Sequence, residues 1–201
     1  GRGVTGMATK EEDVVDKVFM ASTHDYLLCF TNKGRAYWLR VYDIPEGSRT
    51  AKGKAIVNLL NLTDEDVSAV IPLRSFDSDK YFLYATKSGR IGKFSQDLFS
   101  RPRAGGIIGM TLLDGDELVD VVMTNGKSDV VLTTAYGQSL RFSEDEVRAT
   151  GRGSQGVIGI KMKYEEDRVC GLTLVDEKAK YLFLLTDKGF GKRTLFDEFM
   201  G

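Results

Sequence analysis

The sequence predicts an all-β fold, a propeller-like array of about four blades with four antiparallel strands each. Three recurrences carry that expectation. A T-x-x-G turn appears as TNKG at 31–34, TKSG at 86–89, TAYG at 134–137 and TDKG at 186–189, with glycines 55, 48 and 52 residues apart. Strand candidates that follow an acidic run begin at Val15, Val67, Leu118 and Val169, spaced by 52, 51 and 51 residues. Glycines that open a short apolar segment stand at Gly3, Gly53, Gly106 and Gly156, spaced by 50, 53 and 50. Independent landmarks in one phase point to one continuous domain over 1–201, with repeats at about 1–50, 51–102, 103–150 and 151–201.

Each unit then follows one order. The first opens with GVTGM, passes the acids Glu11, Glu12 and Asp13, and enters a strand VDKVFMA from Val15. A hairpin follows, YLLCF and RAYWLRV around the turn, and Pro45 in DIPEG argues against a continuing strand. The second has Gly53 with AIVNLL, then Asp64, Glu65 and Asp66, VSAVIPL, the hairpin and SQDLF. The third has GGIIGM, Asp114, Asp116 and Glu117, LVDVVM, the hairpin and SEDEV; the fourth has GVIGI, Glu165, Glu166 and Asp167, VCGLTLV, the hairpin and FDEF. β-Branched and aromatic residues are enriched and a helical period is missing, so the runs are strands. SQDLF, SEDEV and FDEF have room for a helical turn only. The turn glycines meet a backbone requirement, positive φ in a tight hairpin, which in itself carries no functional information.

Composition narrows the function classes. Of 201 residues, 42% are hydrophobic, enough for a sizeable core, and the net charge is −1, so only the distribution of charge bears on a nucleic-acid partner. Cys29 and Cys170 lie in apolar runs and read as reduced, buried thiols of a cytosolic protein. The one histidine, His24, lies in a polar turn and leaves no zinc cluster or Ser-His-Asp triad. DGDE at 114–117 lacks the EF-hand loop pattern, and GRGVTG and GRGSQG lack the strand–loop–helix setting of a nucleotide loop. No catalytic constellation and no metal site is expected. No apolar run approaches the ~18 residues of a membrane span, and no signal peptide is visible at the start.

The positive charge recurs by position. Arg35 and Arg90 follow the turn glycine directly; Lys93, Arg141 and Arg193 stand four residues after it, with Lys192 beside the last. Hairpin cations commonly serve solubility and protect sheet edges. The connections between units are more telling: Arg49, Lys52 and Lys54; Arg101 and Arg103; Arg148 and Arg152, each group with a glycine and no acid. In an array of repeats, equivalent positions form bands. A basic band apart from an acidic one suits nonspecific binding of a phosphate backbone.

Residues 22–60, STHDYLLCFTNKGRAYWLRVYDIPEGSRTAKGKAIVNLL, closely resemble the opening of the C-terminal, DNA-wrapping domain in the A protein of DNA gyrase, a type IIA topoisomerase. LLDGDELVDVVMT, VRATGRGSQGVIGI and TDKGFGKRTLFDEF resemble the same domain in the same order, so the likeness covers essentially the whole chain. The resemblance implies a β-pinwheel whose neighbouring blades exchange strands, and a basic rim that wraps duplex DNA with positive handedness. It also implies partners: the remainder of gyrase A, and gyrase B, in an A2B2 assembly with ATP and Mg that introduces negative supercoils in the cytoplasm. No cofactor is expected in this domain, and the DNA-cleaving tyrosine and the ATPase site belong elsewhere, so the chain is no enzyme on its own. The family's Gln-Arg-Arg-Gly-Gly-(Lys/Arg)-Gly box is represented only by Gly1-Arg2-Gly3, which adds Arg2 to the DNA-contacting set. Four units stand where the family usually has six, so a fragment forming an incomplete, open disc is expected. A topoisomerase IV-type accessory domain and a protein-interaction propeller are the alternatives.

Overall fold

Every T-x-x-G turn in the described part of the chain closes in the same way. The threonine carbonyl accepts from the glycine amide at 3.0 Å in Thr31–Gly34, Thr86–Gly89 and Thr134–Gly137 alike. The glycines lie at φ of 85°, 97° and 89°, the left-handed region a three-residue hairpin loop needs at its end. The buried threonine hydroxyl has its own task. It accepts from the amide after the glycine, at 3.2 Å from Arg35 and Arg90 and 3.0 Å from Gln138. Threonine therefore recurs because its hydroxyl satisfies a backbone donor that the turn would leave unpaired.

The computed structural model describes residues 25–44 and 58–175, together with the backbones of two later strands. Its strands are β1 (Tyr26–Thr31), β2 (Arg35–Arg40), β3 (Val67–Leu73), β4 (Tyr81–Thr86), β5 (Arg90–Ser95), β6 (Ile107–Ile108), β7 (Leu118–Thr124), β8 (Asp129–Thr134), β9 (Ser139–Ser143), β10 (Val157–Ile158), β11 (Val169–Leu174), β12 (Tyr181–Leu185) and β13 (Gly191–Leu195). All described pairings between these strands are antiparallel. The first sheet has the order β3-β1-β2-β6, the second β10-β5-β4-β7, the third β11-β8-β9, and β12 pairs with β13. Single turns of 3-10 helix follow three hairpins, at Val41–Asp43, Gln96–Phe99 and Glu144–Glu146.

The sheets group these strands in a different phase from the repeat boundaries drawn on the sequence. A hairpin and the long strand that returns beside it make three strands. Counted from each hairpin instead, as β1 to β3, β4 to β7 and β8 to β11, the units give the fourth strand of a sheet, β6 or β10, from the next unit, and it adds to the outer side of β2 or β5. Four strands per repeat is thus correct for composition, but one of the four is given to the preceding sheet. Pro72 lies inside β3 opposite Leu27. It is tolerated because β3 pairs on one side only, as the outermost strand of its sheet.

Strand alternation explains the packing. In β4, Phe82 and Tyr84 turn toward the first sheet and Leu83 and Ala85 toward the third, and all four are buried. A strand buried on both faces reads as a continuous apolar run, as KYFLYA does. Between the first two sheets the rings of Phe30, Phe82, Phe94 and Phe99 meet, with Phe99 at 5.4, 5.5 and 5.1 Å from the other three. These tilted and edge-on contacts add to what burial alone contributes. Val130, Leu132, Val169 and Leu172 continue the core into the third sheet. Cys29 is buried as expected, whereas Cys170 is exposed, because β11 turns Val169 and Leu172 inward and leaves the thiol outside. The strand expected from Val15, His24, Pro45 and the turn at 186–189 lie outside the described residues.

The turn glycines also make room. A Cβ on Gly34 would stand 2.5 Å from the Met110 carbonyl oxygen, and one on Gly89 would strike that of Ile160. Gly115 has a similar φ of 76° with open space around it. Gly115→Ala should therefore lose only the left-handed backbone preference, about 1–2 kcal/mol. Gly34→Ala and Gly89→Ala should lose more, since the captured strand must shift. Urea unfolding of the three variants checks this, and equal losses would show that the carbonyl contact is immaterial.

Candidate nucleic-acid interface

The arginine after the turn glycine holds the connection that brings in the next unit's strand. Arg35 Nη2 donates to the Gly105 carbonyl at 2.8 Å, and its Nε donates to the Tyr37 hydroxyl at 3.1 Å. Arg90 does the same one blade on, with Nε to Gln155 O at 2.8 Å and Nη2 to Gly156 O at 2.7 Å. In the third unit Gln138 takes this place and donates to Lys161 O at 3.1 Å. Further bonds fix residues 149–154 across the unit before. Thr150 N donates to Lys93 O at 2.8 Å, Gly153 N to Gly109 O at 2.9 Å, and Thr111 N to Ser154 O at 3.0 Å. Tyr84 is buried, which pushes its hydroxyl up to about 12 against the opposing influence of Arg90; protonated, it donates to Ser154 O at 3.4 Å.

The connections so held present their cations outward. Arg101, Arg103, Arg148 and Arg152 are all exposed. Arg152 donates from Nη1 to Ile108 O at 3.1 Å, which seats it against the outer strand of the first sheet. Residues 100–113 and 147–164 contain no carboxylate.

The acidic runs behave differently: they fasten the turns. Asp116 accepts from the Ser88 amide at 2.9 Å and the Ser88 hydroxyl at 2.6 Å, and Glu117 accepts from Lys87 Nζ at 2.9 Å. Burial pushes the Asp116 carboxyl up, but the hydrogen bonds from Ser88, Thr86 and the Glu117 amide outweigh it and hold the group below its ordinary value. Glu65 accepts from the Thr31 hydroxyl at 3.0 Å, and Asp167 from the Tyr136 amide at 3.0 Å. Among the described residues, no group of three or more potential ligands could hold a metal ion.

Two hairpin cations do not belong to an exposed rim. Lys93 is 6% exposed, donates to Glu144 O at 3.0 Å and lies 3.6 Å from Glu144 Oε1. It shares a face of β5 with Ile91, the face packed on the third sheet, so it links blades and cannot meet solvent phosphate. Arg141 is half-buried and bonds Asp129 Oδ2 through Nε at 3.2 Å and Nη2 at 2.9 Å, so its charge is largely matched locally. Arg35 and Arg90 stand near the edge but act first as clamps. Lys192 and Arg193 lie in β13, opposite Leu184 and Phe183. Arg2, Arg49, Lys52 and Lys54 lie outside the described residues.

Residues 1–22, 25–74, 80–125, 128–175 and 180–200 match the family described as DNA gyrase C-terminal domain, beta-propeller. The chain belongs to that family. Three of the matched segments coincide with the structural units, β1 to β3, β4 to β7 and β8 to β11, each beginning with its hairpin. Among curated relatives, the gyrase A protein of Salmonella typhimurium is 44% identical over 200 residues, and that of Haloquadratum walsbyi 42% identical over 205. Both alignments cover 99% of this chain but only 23% and 24% of the relative, so the chain spans about a quarter of their length. A solved DNA gyrase A C-terminal domain is 30% identical with a TM-score of 0.71, over 88% of this chain and 56% of the other. A solved C-terminal domain of DNA topoisomerase IV is 31% identical with a TM-score of 0.78, over 88% and 55%. The family membership bears out the resemblance read from residues 22–60, and the strand exchange it implied is present.

The buried pair gives a direct test of its structural role. Lys93→Met leaves the fully buried Glu144 carboxylate without its cation and should cost about 3–5 kcal/mol. Lys93→Met with Glu144→Gln removes both charges and should recover most of that loss. Denaturant unfolding reads both, and a double variant as unstable as the single one would sink the pairing account.

Proposed function

We propose that the chain binds duplex DNA without sequence preference and wraps it along the edge formed by β6, β10 and the connections that precede them. The observation that carries this is the exposure of Arg101, Arg103, Arg148 and Arg152 on acid-free segments at equivalent places in successive units. Family membership supports it. Bending duplex DNA tightly costs several kcal/mol, since its persistence length is about 150 bp. Phosphate contacts spread along an arc offset that cost and read no sequence. Arg2, Arg49, Lys52 and Lys54 extend the same set in the proposal, and Lys192 and Arg193 belong to its fourth unit.

Within the whole protein, the wrap would have positive handedness and support ATP-dependent negative supercoiling with the rest of gyrase A and with gyrase B, in a cytoplasmic A2B2 assembly. ATP, Mg and the DNA-cleaving tyrosine would act outside this chain. A topoisomerase IV-type accessory role is the second reading, favoured by the TM-score of 0.78 to that enzyme's domain.

DNA retardation at several salt concentrations tests binding. The log affinity should fall with log salt by about 0.9 per phosphate neutralised. Replacing Arg101, Arg103, Arg148 and Arg152 with Ala should weaken binding to all sequences and flatten that dependence. Affinity insensitive to salt would exclude the proposed mode. Plasmid relaxation by a nicking-closing enzyme tests wrapping: a shift to positive linking number supports it, and no shift limits the chain to simple binding.

A further inference from the structure

The outer strands carry more than charge. Ile108 in β6 is 52% exposed and Ile158 in β10 is 59% exposed. They hold the same place in their units, the third residue of G-x-I-G, and the same place in their sheets. Ile108 is the cross-strand partner of Arg35, and Ile158 of Arg90. Directly opposed residues bring their side chains within contact distance. Arg90 is fixed on the Gln155 and Gly156 carbonyls, and Arg35 on the Gly105 carbonyl and on the Tyr37 hydroxyl, which itself donates to Glu65 Oε2 at 3.3 Å. Neither guanidinium bonds a carboxylate directly, and some N–H donors of each stay open. At the first sheet Arg152 adds a second guanidinium on the Ile108 carbonyl. Two successive blades thus display a fixed pairing of aliphatic side chain and guanidinium, with the isoleucine of each pair on a segment without a carboxylate.

We propose that Ile108 and Ile158 are duplex-contacting residues. Each presses its aliphatic side chain against the groove wall of the DNA beside an arginine, and so favours bending at its blade. The proposal rests on the DNA-binding reading above. Charge complementarity selects the occupant: a surface of guanidinium and aliphatic carbon matches the phosphates and sugar edges of a groove. Apolar side chains at bent DNA offset the deformation by contacts that release no counterions. Their contribution is therefore independent of salt, unlike that of the arginines.

This difference is measurable on the full 201-residue chain with a duplex of mixed sequence. Ile108→Ser with Ile158→Ser should weaken binding about tenfold at every salt concentration and leave the salt dependence unchanged. Ile108→Val with Ile158→Val should stay within about twofold of the parent, since most of the aliphatic contact is kept. Arg148→Ala should flatten the salt dependence instead. Circular dichroism melting confirms that the variants remain folded. Parental affinity in the serine pair, with Arg148→Ala still effective, overturns this inference and leaves the DNA-binding reading standing. Loss of self-association in sedimentation with DNA affinity intact would make the patch an interface between copies and also overturn it. A parent chain that fails to bind DNA at low salt removes the underlying reading, and this one with it.

Discussion

The capture of a short strand by the preceding hairpin is the interaction on which the array depends. The Gly34 carbonyl accepts from the Gly109 and Met110 amides at 2.8 and 3.3 Å, and the Gly89 carbonyl from the Gly159 and Ile160 amides at 2.8 and 3.1 Å. These bonds extend the pairing of β6 with β2 and of β10 with β5; without that pairing β2 and β5 would be bare edges and their sheets would end one strand early. The connections would also lose their path. Because β6 must reach β2, and β10 must reach β5, the chain just before them is drawn across the outer side of the neighbouring blade. The four exposed arginines are carried there by that constraint. A two-residue strand is too short to hold itself, so Arg35 and Arg90 grip its approach.

Equivalent places in the units keep their backbone bonds while the side chains diverge. Val41, Gln96 and Glu144 each open a 3-10 turn, and each donates its amide to the residue before the hairpin, Asp25, Lys80 or Ser128. Valine meets an apolar neighbourhood there. Glutamate needs charge-matched partners, which it finds in Lys93, the Thr124 hydroxyl at 2.9 Å and the Ser128 amide at 2.9 Å. The carboxylate facing the turn varies in the same way. Asp116 has both oxygens occupied by Ser88, but Asp167 faces Tyr136, which has no hydroxyl in that place, and Asp167 Oδ2 has no partner. Backbone geometry is what repeats, and side chains adapt to whichever blade lies next.

Much of the fold is legible in the sequence because its signals are local. A turn that needs positive φ must carry glycine, so Gly34, Gly89 and Gly137 mark hairpins wherever they occur. Strand exchange is not legible from spacing, since a period fixes how often a strand recurs but not which sheet receives it; only the resemblance implies it. The exposed connection arginines stand out because they segregate from acids along the chain. Lys93 is misplaced on the rim when its position relative to the turn is weighed above its alternation. Ile91 and Lys93 share a face, and Ile91 belongs to a core, a signal that is present in RIGKFS. The clamping role of Arg35 and Arg90 has no local signal, because their acceptors lie some 65 to 70 residues away.

Charge separation then follows from what each kind of group bonds. With a net charge of −1, the chain has no excess of cations to draw on. Its acids lie against donors: backbone amides, hydroxyls and Lys87 fasten Glu65, Asp116, Glu117 and Asp167 at the turns. A carboxylate so placed is partly neutralised and has little reach through solvent. Arg35, Arg90 and Arg152 lie against carbonyl oxygens, which fix their position but carry no net charge. Orientation by carbonyls fixes these guanidinium groups without pairing them directly to a carboxylate. A nearly neutral chain thus acquires one side suited to phosphate, through the choice of hydrogen-bond partner for each charge rather than through an excess of charge.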